Sequence, residues 1–156
     1  MISRAKIQGE ELHILLVEDN LAHAELVMRS LRDYHIINTV EHLSNGEAAL
    51  DYVFRRGAYA SAERSPRPHL ILLDLRLPRI DGLDVLKAIK ASQELHTIPV
   101  VILTTSEAEQ DMTRAYQHHA NSYLVKPVDF DTFTQLMEEL GLYWLAWNYS
   151  PWSPST

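Results

Sequence analysis

The sequence predicts an α/β domain in which helices cover both faces of a doubly wound sheet of five parallel strands. Three observations carry that expectation. Short apolar runs alternate along the chain with stretches whose apolar residues recur at helical spacing. The runs LILLD at 70–74 and VVILT at 100–104 are apolar on both alternating faces, as a strand must be when helices lie on both sides of its sheet. The chain has 156 residues, 46% hydrophobic against 22% charged, which suffices for one core without disulfides or metals as staples.

The elements follow in order. Leu12 to Glu18 is the first strand, and Asn20 can cap a helix from Ala22 to Asp33. Thr39 to Leu43 is a second strand of mixed polarity, which marks it as an edge. Ser44 or Asn45 can cap the helix from Glu47 to Arg56. Gly57 to Arg67, rich in Ala, Ser, Arg and Pro, is a long surface connection into the third strand, Leu70 to Asp74. Asp81 can cap a helix from Leu83 to Ser92, before the fourth strand at Val100 to Thr104. Ser106 can cap a helix from Glu107 to His118, and Thr105 and Ser106 read as capping residues. Ser122 to Val125 is the fifth strand, and Asp129 can cap a last helix starting near Phe130. The implied division is an extension over 1–11, one domain over 12–140 and an aromatic tail over 141–156.

Composition excludes several functions. There is no cysteine, so neither a disulfide framework nor thiolate chemistry is available. A formal charge of -7 with scattered arginines argues against nucleic acid as a partner. MISRAKIQGEE has no apolar stretch like a signal peptide, and runs such as VVIL fall far short of the roughly 20 residues that span a bilayer. No membrane association and a cytoplasmic location are expected. The eight histidines show no i, i+4 pairing on a helix face, so structural zinc is not expected.

In open parallel sheets, ligands bind beyond the carboxyl ends of the strands, where the strand order reverses. Those ends deliver Glu18 and Asp19 from LLVEDN, Asp74 from LILLDLRLP, Thr104 and Thr105 from ILTTS, and Lys126 from YLVKP. With strands in the order 2-1-3-4-5, three carboxylates, a hydroxyl and a lysine converge. Carboxylates that close repel one another unless a cation joins them, and oxygen donors of this kind favour Mg²⁺ with waters retained. Such a site can hold the oxygens of a phosphoryl group while Asp74 attacks phosphorus and Lys126 neutralises the charge that develops.

LLVEDN, LLDLRLPRIDG, LTTS and YLVKP, in that order, resemble the motifs of the bacterial response-regulator receiver family. The resemblance spans residues 12–140 and implies a flavodoxin-like fold and a phosphorylation switch charged by a histidine kinase. It implies Asp74 as phosphoacceptor, Asp19 as a direct Mg²⁺ ligand, Glu18 as a ligand through water, and the backbone carbonyl of Arg76 as a further ligand. It also implies Thr104 as the switch hydroxyl, Tyr123 as the switch aromatic, a cis Lys126-Pro127 peptide that places the lysine, and Gly82 as the residue opening the third helix. LTTS, NSYLVKP, the long connection before the third strand and the aromatic tail are similar to the single-domain regulators that partner bacterial phytochrome histidine kinases. A regulator without an output domain, in a red-light pathway, is what that closer likeness implies.

Rival functions meet specific obstacles. A haloacid-dehalogenase-type phosphatase needs an acidic group two residues beyond its nucleophile, where this chain has Arg76. An FMN carrier needs a phosphate cradle in the first loop, where Glu18 and Asp19 would repel it. A receiver-like module that only binds partners usually lacks the acidic set. Phe130, Phe133, Met137, Leu140, Trp144 and Trp147 follow a 3-4 spacing, although Gly141 interrupts it. Tyr143, Trp144, Trp147, Tyr149 and Trp152 must pack either back on the domain or against a second copy. A symmetric homodimer through Tyr143, Trp144, Trp147 and Trp152 is the expected arrangement.

Overall fold

The computed structural model describes residues 12–32, 38–104, 109–126 and 130–139. Five parallel strands, β1 (Leu12–Val17), β2 (Asn38–Leu43), β3 (Leu70–Asp74), β4 (Val100–Thr104) and β5 (Ser122–Val125), form one sheet in the order β2-β1-β3-β4-β5. The helices are α1 (Leu21–Arg32), α2 (Gly46–Val53), α3 (Gly82–Ala91), α4 (Glu109–Gln117) and α5 (Phe130–Glu139). The expected doubly wound order is therefore present, with β2 at an edge. In register, Val17 pairs with Leu73 and Asp74 with Leu103, so the carboxyl ends of β1, β3 and β4 lie level.

Strand alternation sorts the core into two layers. Leu12, Ile14 and Leu16 of β1, Leu70 and Leu72 of β3, and Val101 and Leu103 of β4 point to one face. There they meet Ala24, Val27 and Leu31 of α1 and Phe133 and Leu136 of α5. Leu15, Val17, Ile71, Leu73, Val100 and Ile102 point the other way, onto α2, α3 and Ala115 of α4. All five residues of β3 are buried, as a central strand covered on both faces requires. Each such Leu or Ile contributes roughly 1.5–3 kcal/mol by leaving water, which gives the site a rigid floor.

The helix starts show how the loops are fixed. Asn20 Oδ1 accepts from His23 N at 3.0 Å, and Asn45 Oδ1 accepts from Ala48 N at 2.8 Å, so both expected caps form. Asp81 stands at the N-cap of α3, but its side chain makes no capping bond. Its backbone carbonyl takes Asp84 N and Val85 N instead, at 3.0 and 3.1 Å. Helix α2 stops at Val53 rather than Arg56, because Arg55 turns to a φ of 53°. The connection that follows contains one 3-10 turn, Gly57–Tyr59, and is pinned to the domain. Ser65 is buried with its hydroxyl on the carbonyls of Tyr59 and Ser61, and Arg67 donates to Val53 O at 2.6 Å while pairing with Glu94 at 2.9 Å. No helix among the described residues is long and apolar enough to cross a membrane.

Candidate functional site

The first loop is held from three sides. Beyond the end of β1, Glu18 N still donates to Leu43 O at 2.9 Å, which carries the strand pairing one residue further. The Glu18 carbonyl meets His42 Nε2 at 2.8 Å, and because a carbonyl can only accept, that nitrogen carries the hydrogen. Asn20 N donates to Glu18 Oε2 at 3.1 Å, which turns the buried carboxylate toward the sheet's end. Asp19, beside it, is exposed.

Asp74 closes β3 on the neighbouring strand and is 6% exposed. Arg76 N donates to its Oδ1 at 3.1 Å. The loop after it is pressed down by α3, whose first residue, Gly82, lies against it. A Cβ on Gly82 would overlap the carbonyl oxygen of Asp74 and stand 2.6 Å from the Cα of Leu75. Gly82 N also donates to Leu75 O at 2.9 Å. Only glycine permits this approach, so the backbone carrying Asp74 is set by close packing.

Lys126 follows β5, with β4 standing between it and Asp74. Its four-carbon stem reaches across, and the ammonium sits 2.5 Å from Glu18 Oε1, 3.2 Å from Asp74 Oδ2 and 3.2 Å from His23 Nδ1. An ammonium has three hydrogens, enough for all three contacts when His23 Nδ1 carries its lone pair. The lysine side chain is almost fully enclosed, as are the two carboxylates it joins.

Carboxylate oxygens of Glu18, Asp19 and Asp74 all lie within 4.8 Å of one another. Lys126 and the exposed Arg76 of the cleft wall carry two positive charges against three carboxylates, which leaves a negative excess in a partly dry site. The consequence appears at Glu18, whose pKa is raised from 4.5 to about 7 by burial, against the pull of Lys126, and further by Asp74. Hard oxygen donors carrying uncompensated charge match a divalent cation, which would remove the repulsion that lifts Glu18. The three carboxylates, Asn20, His23, Arg76 and Lys126 line an open cleft of about 200 Å³, large enough for a hydrated cation and a phosphoryl-sized group.

The structure thus brings together Glu18, Asp19, Asp74, Arg76 and Lys126, as the sequence led one to expect. Thr104 ends β4 level with this group, pairing with Val125, while its side chain lies outside the described residues. So do Thr105, Ser106, Pro127 and Asp129, Leu140, and the tail residues Tyr143, Trp144, Trp147, Tyr149 and Trp152. Tyr123 is half-buried on β5, edge-on to Tyr116 of α4 with ring centroids 6.0 Å apart. Sequence reasoning missed His23 and His42, which reach the site from α1 and β2. Their spacing carries no signal, because each contact is made to another part of the chain.

The response regulator receiver domain family matches residues 14–138. Over 139 residues the chain is 49% identical to the Probable methanogenesis regulatory protein FilR2 of Methanothrix harundinacea (strain 6Ac), covering 88% of this chain and 86% of that protein. It is 42% identical over 132 residues to the response regulator Rcp1 of Synechocystis sp., covering 85% of this chain and 88% of Rcp1. The crystal structure of the Mn²⁺-bound form of Rcp1 superposes with a TM-score of 0.71 at 41% identity, over 86% of this chain and 94% of that one. The phosphorylated cyanobacterial phytochrome response regulator RcpA superposes with a TM-score of 0.74 at 38% identity, over 87% of this chain and 95% of that one.

Proposed function

This chain belongs to the response regulator receiver domain family, and from that premise we propose that Asp74 is its phosphoacceptor, charged by a histidine kinase in the presence of Mg²⁺. The observation that carries the proposal is the Lys126 ammonium bridging the Glu18 and Asp74 carboxylates, with Asp19 in the same cleft. Glu18, Asp19, Asp74 and the backbone carbonyl of Arg76 are the residues that would hold the cation. The Mn²⁺-bound form of Rcp1 supports a divalent ion in such a site. When bound, Mg²⁺ would screen the charge of the carboxylates and of the phosphoryl oxygens.

The chemistry asked of the chain is positional. An oxygen of Asp74 attacks phosphorus of the donor's phosphohistidine, an O–P bond forms, and the N–P bond breaks with its electron pair passing to the imidazole, which takes a proton from solvent. Asp74 is held for this by the Arg76 amide and by the strand beneath it. Lys126 meets the charge on the phosphoryl oxygens from an enclosed position at the base of the cleft, where one ammonium counts for more than at the surface. Arg76, in place of an acidic residue, supplies no general acid or base two residues beyond Asp74, which disfavours turnover of the phosphatase kind. Phosphorylation then draws Thr104 toward the phosphoryl group and Tyr123 inward, altering the face formed by α4 and β5 and shifting partner binding.

The proposed assembly is a symmetric homodimer through the tail residues Tyr143, Trp144, Trp147 and Trp152, with 12–140 as the receiver domain and the cytoplasm as its location. The proposed kinase is a bacterial phytochrome, a reading that the similarity to RcpA supports. FilR2, a probable methanogenesis regulatory protein, is more similar at 49% identity, so a kinase that answers to another signal is the second reading. The test is incubation with Mg²⁺ and acetyl phosphate, followed by mass spectrometry. One phosphate on the peptide bearing Asp74, absent from folded Asp74→Asn, is expected; labelling elsewhere or none at all overturns the assignment. Phosphotransfer from a purified bacteriophytochrome, compared with a kinase lacking a chromophore, separates the two sensors.

A further inference from the structure

We infer that His23 is a positioning residue for phosphoryl transfer, its Nδ1 holding the Lys126 ammonium at Asp74. The inference rests on the reading of Asp74 as phosphoacceptor and extends it to a residue that the motif pattern leaves out.

Of the three acceptors around Lys126 Nζ, two change during the reaction. Asp74 becomes an acyl phosphate, and the Glu18 carboxylate is one of the groups called on to face a cation. The ring of His23, 3.2 Å from Nζ, is altered by neither. It can accept only with a lone pair on Nδ1, so the hydrogen of the neutral ring lies on Nε2. The ring is itself well placed to hold. His23 lies in the first turn of α1, where its own backbone N–H is taken by the capping Asn20 at 3.0 Å, and its side chain lines the cleft. A lysine stem has four rotors, and fixing it at the moment of reaction costs entropy that a standing hydrogen bond removes in advance. The Lys126 ammonium stands at the end of a four-carbon stem, 3.2 Å from His23 Nδ1 and 3.2 Å from Asp74 Oδ2, so a fixed post at that tip restrains the group that faces Asp74.

His23→Leu removes the acceptor and keeps an apolar side chain in place. His23→Asn restores it, because an Asn Oδ1 stands the same number of bonds from the Cα as a His Nδ1. The full chain, labelled with ¹⁵N-lysine, is observed without metal by ¹H–¹⁵N correlation of its ammonium groups, the Lys126 signal being identified by its loss in Lys126→Met. An exposed ammonium exchanges its protons too fast to be seen, whereas an enclosed and hydrogen-bonded one remains visible. Wild type and His23→Asn should show the Lys126 signal, and His23→Leu should lose or broaden it. With Mg²⁺ and acetyl phosphate, His23→Leu should label roughly tenfold more slowly, as expected for one hydrogen bond to a charged group. His23→Asn should label at close to the wild-type rate. Labelling of His23→Leu at or above the wild-type rate overturns the inference whatever the ammonium signal does, as does a His23→Asn that behaves like His23→Leu. Failure of the wild type to take any label overturns the phosphoacceptor reading instead, and the ammonium spectra then still decide whether His23 holds the lysine.

Discussion

Cation binding should depend on pH through Glu18. Its carboxyl is buried, shares one ammonium with Asp74, and has a pKa raised to about 7. A cation requires the carboxylate, so binding expels the proton. With a pKa near 7, about one tenth of the molecules carry the carboxylate at pH 6 and about nine tenths at pH 8, which makes the observed affinity for Mg²⁺ rise about tenfold and level off above. The metal-free fold responds in the opposite sense. Folding raises the pKa of Glu18 above its unfolded value of 4.5, so its contribution to stability is full below about pH 4.5 and is lost as pH rises through about 7, a change on the order of 3 kcal/mol. Added Mg²⁺ should therefore raise the melting temperature more at pH 8 than at pH 6. Isothermal titration in two buffers of different ionisation enthalpy counts the protons released, with close to one expected below pH 7. Glu18→Gln should abolish both the release and the pH dependence. An affinity that stays flat between pH 6 and 8, with no proton release, would refute the argument that burial and Asp74 leave Glu18 short of positive charge.

Three further outcomes are expected. Gly82→Ala forces a methyl group into the Asp74 carbonyl and should cost about 1–3 kcal/mol in denaturant unfolding, together with slower labelling of the protein that remains folded. Asn45→Ala deletes the cap on α2, whose residue is not part of the cleft lining, and should cost about 1 kcal/mol with labelling unchanged. Truncation after Leu140 should yield monomers by sedimentation while Asp74 is still labelled, and a full-length protein that stays monomeric at high concentration would remove the proposed dimer.

Much of the fold was legible because the central strands β3 and β4 are apolar runs with sharp ends. β3, β4 and β5 coincide with the runs that the sequence marks, and β2 was recognisable as an edge by its mixed polarity. Helix α2 is shorter than its side-chain pattern predicts, since a turn to positive φ at Arg55 is a backbone event that no such pattern announces. Asp81 has the right residue type and position for a cap, yet the backbone carbonyl does the work. The stretch between α2 and β3 reads as loop by composition, but Ser65 and Arg67 fasten it to backbone carbonyls that only the folded chain supplies.

The site divides in the same way. Glu18, Asp19, Asp74 and Lys126 could be read because parallel strands put every strand end on one rim, and each of these residues stands at or just past such an end. The topology converts a separation of 52 residues between Asp74 and Lys126 into 3.2 Å. Histidines 23 and 42 stand outside that rule, one inside the first turn of a helix and one before the end of an edge strand. Both nevertheless touch the acidic group, His42 through the Glu18 backbone carbonyl and His23 through the lysine that Glu18 binds. Both are partners that add no negative charge to a crowded acidic pocket. A carboxylate at position 23 would be a further negative group beside Glu18 and Asp74, whereas a neutral imidazole gives Lys126 an acceptor without that repulsion.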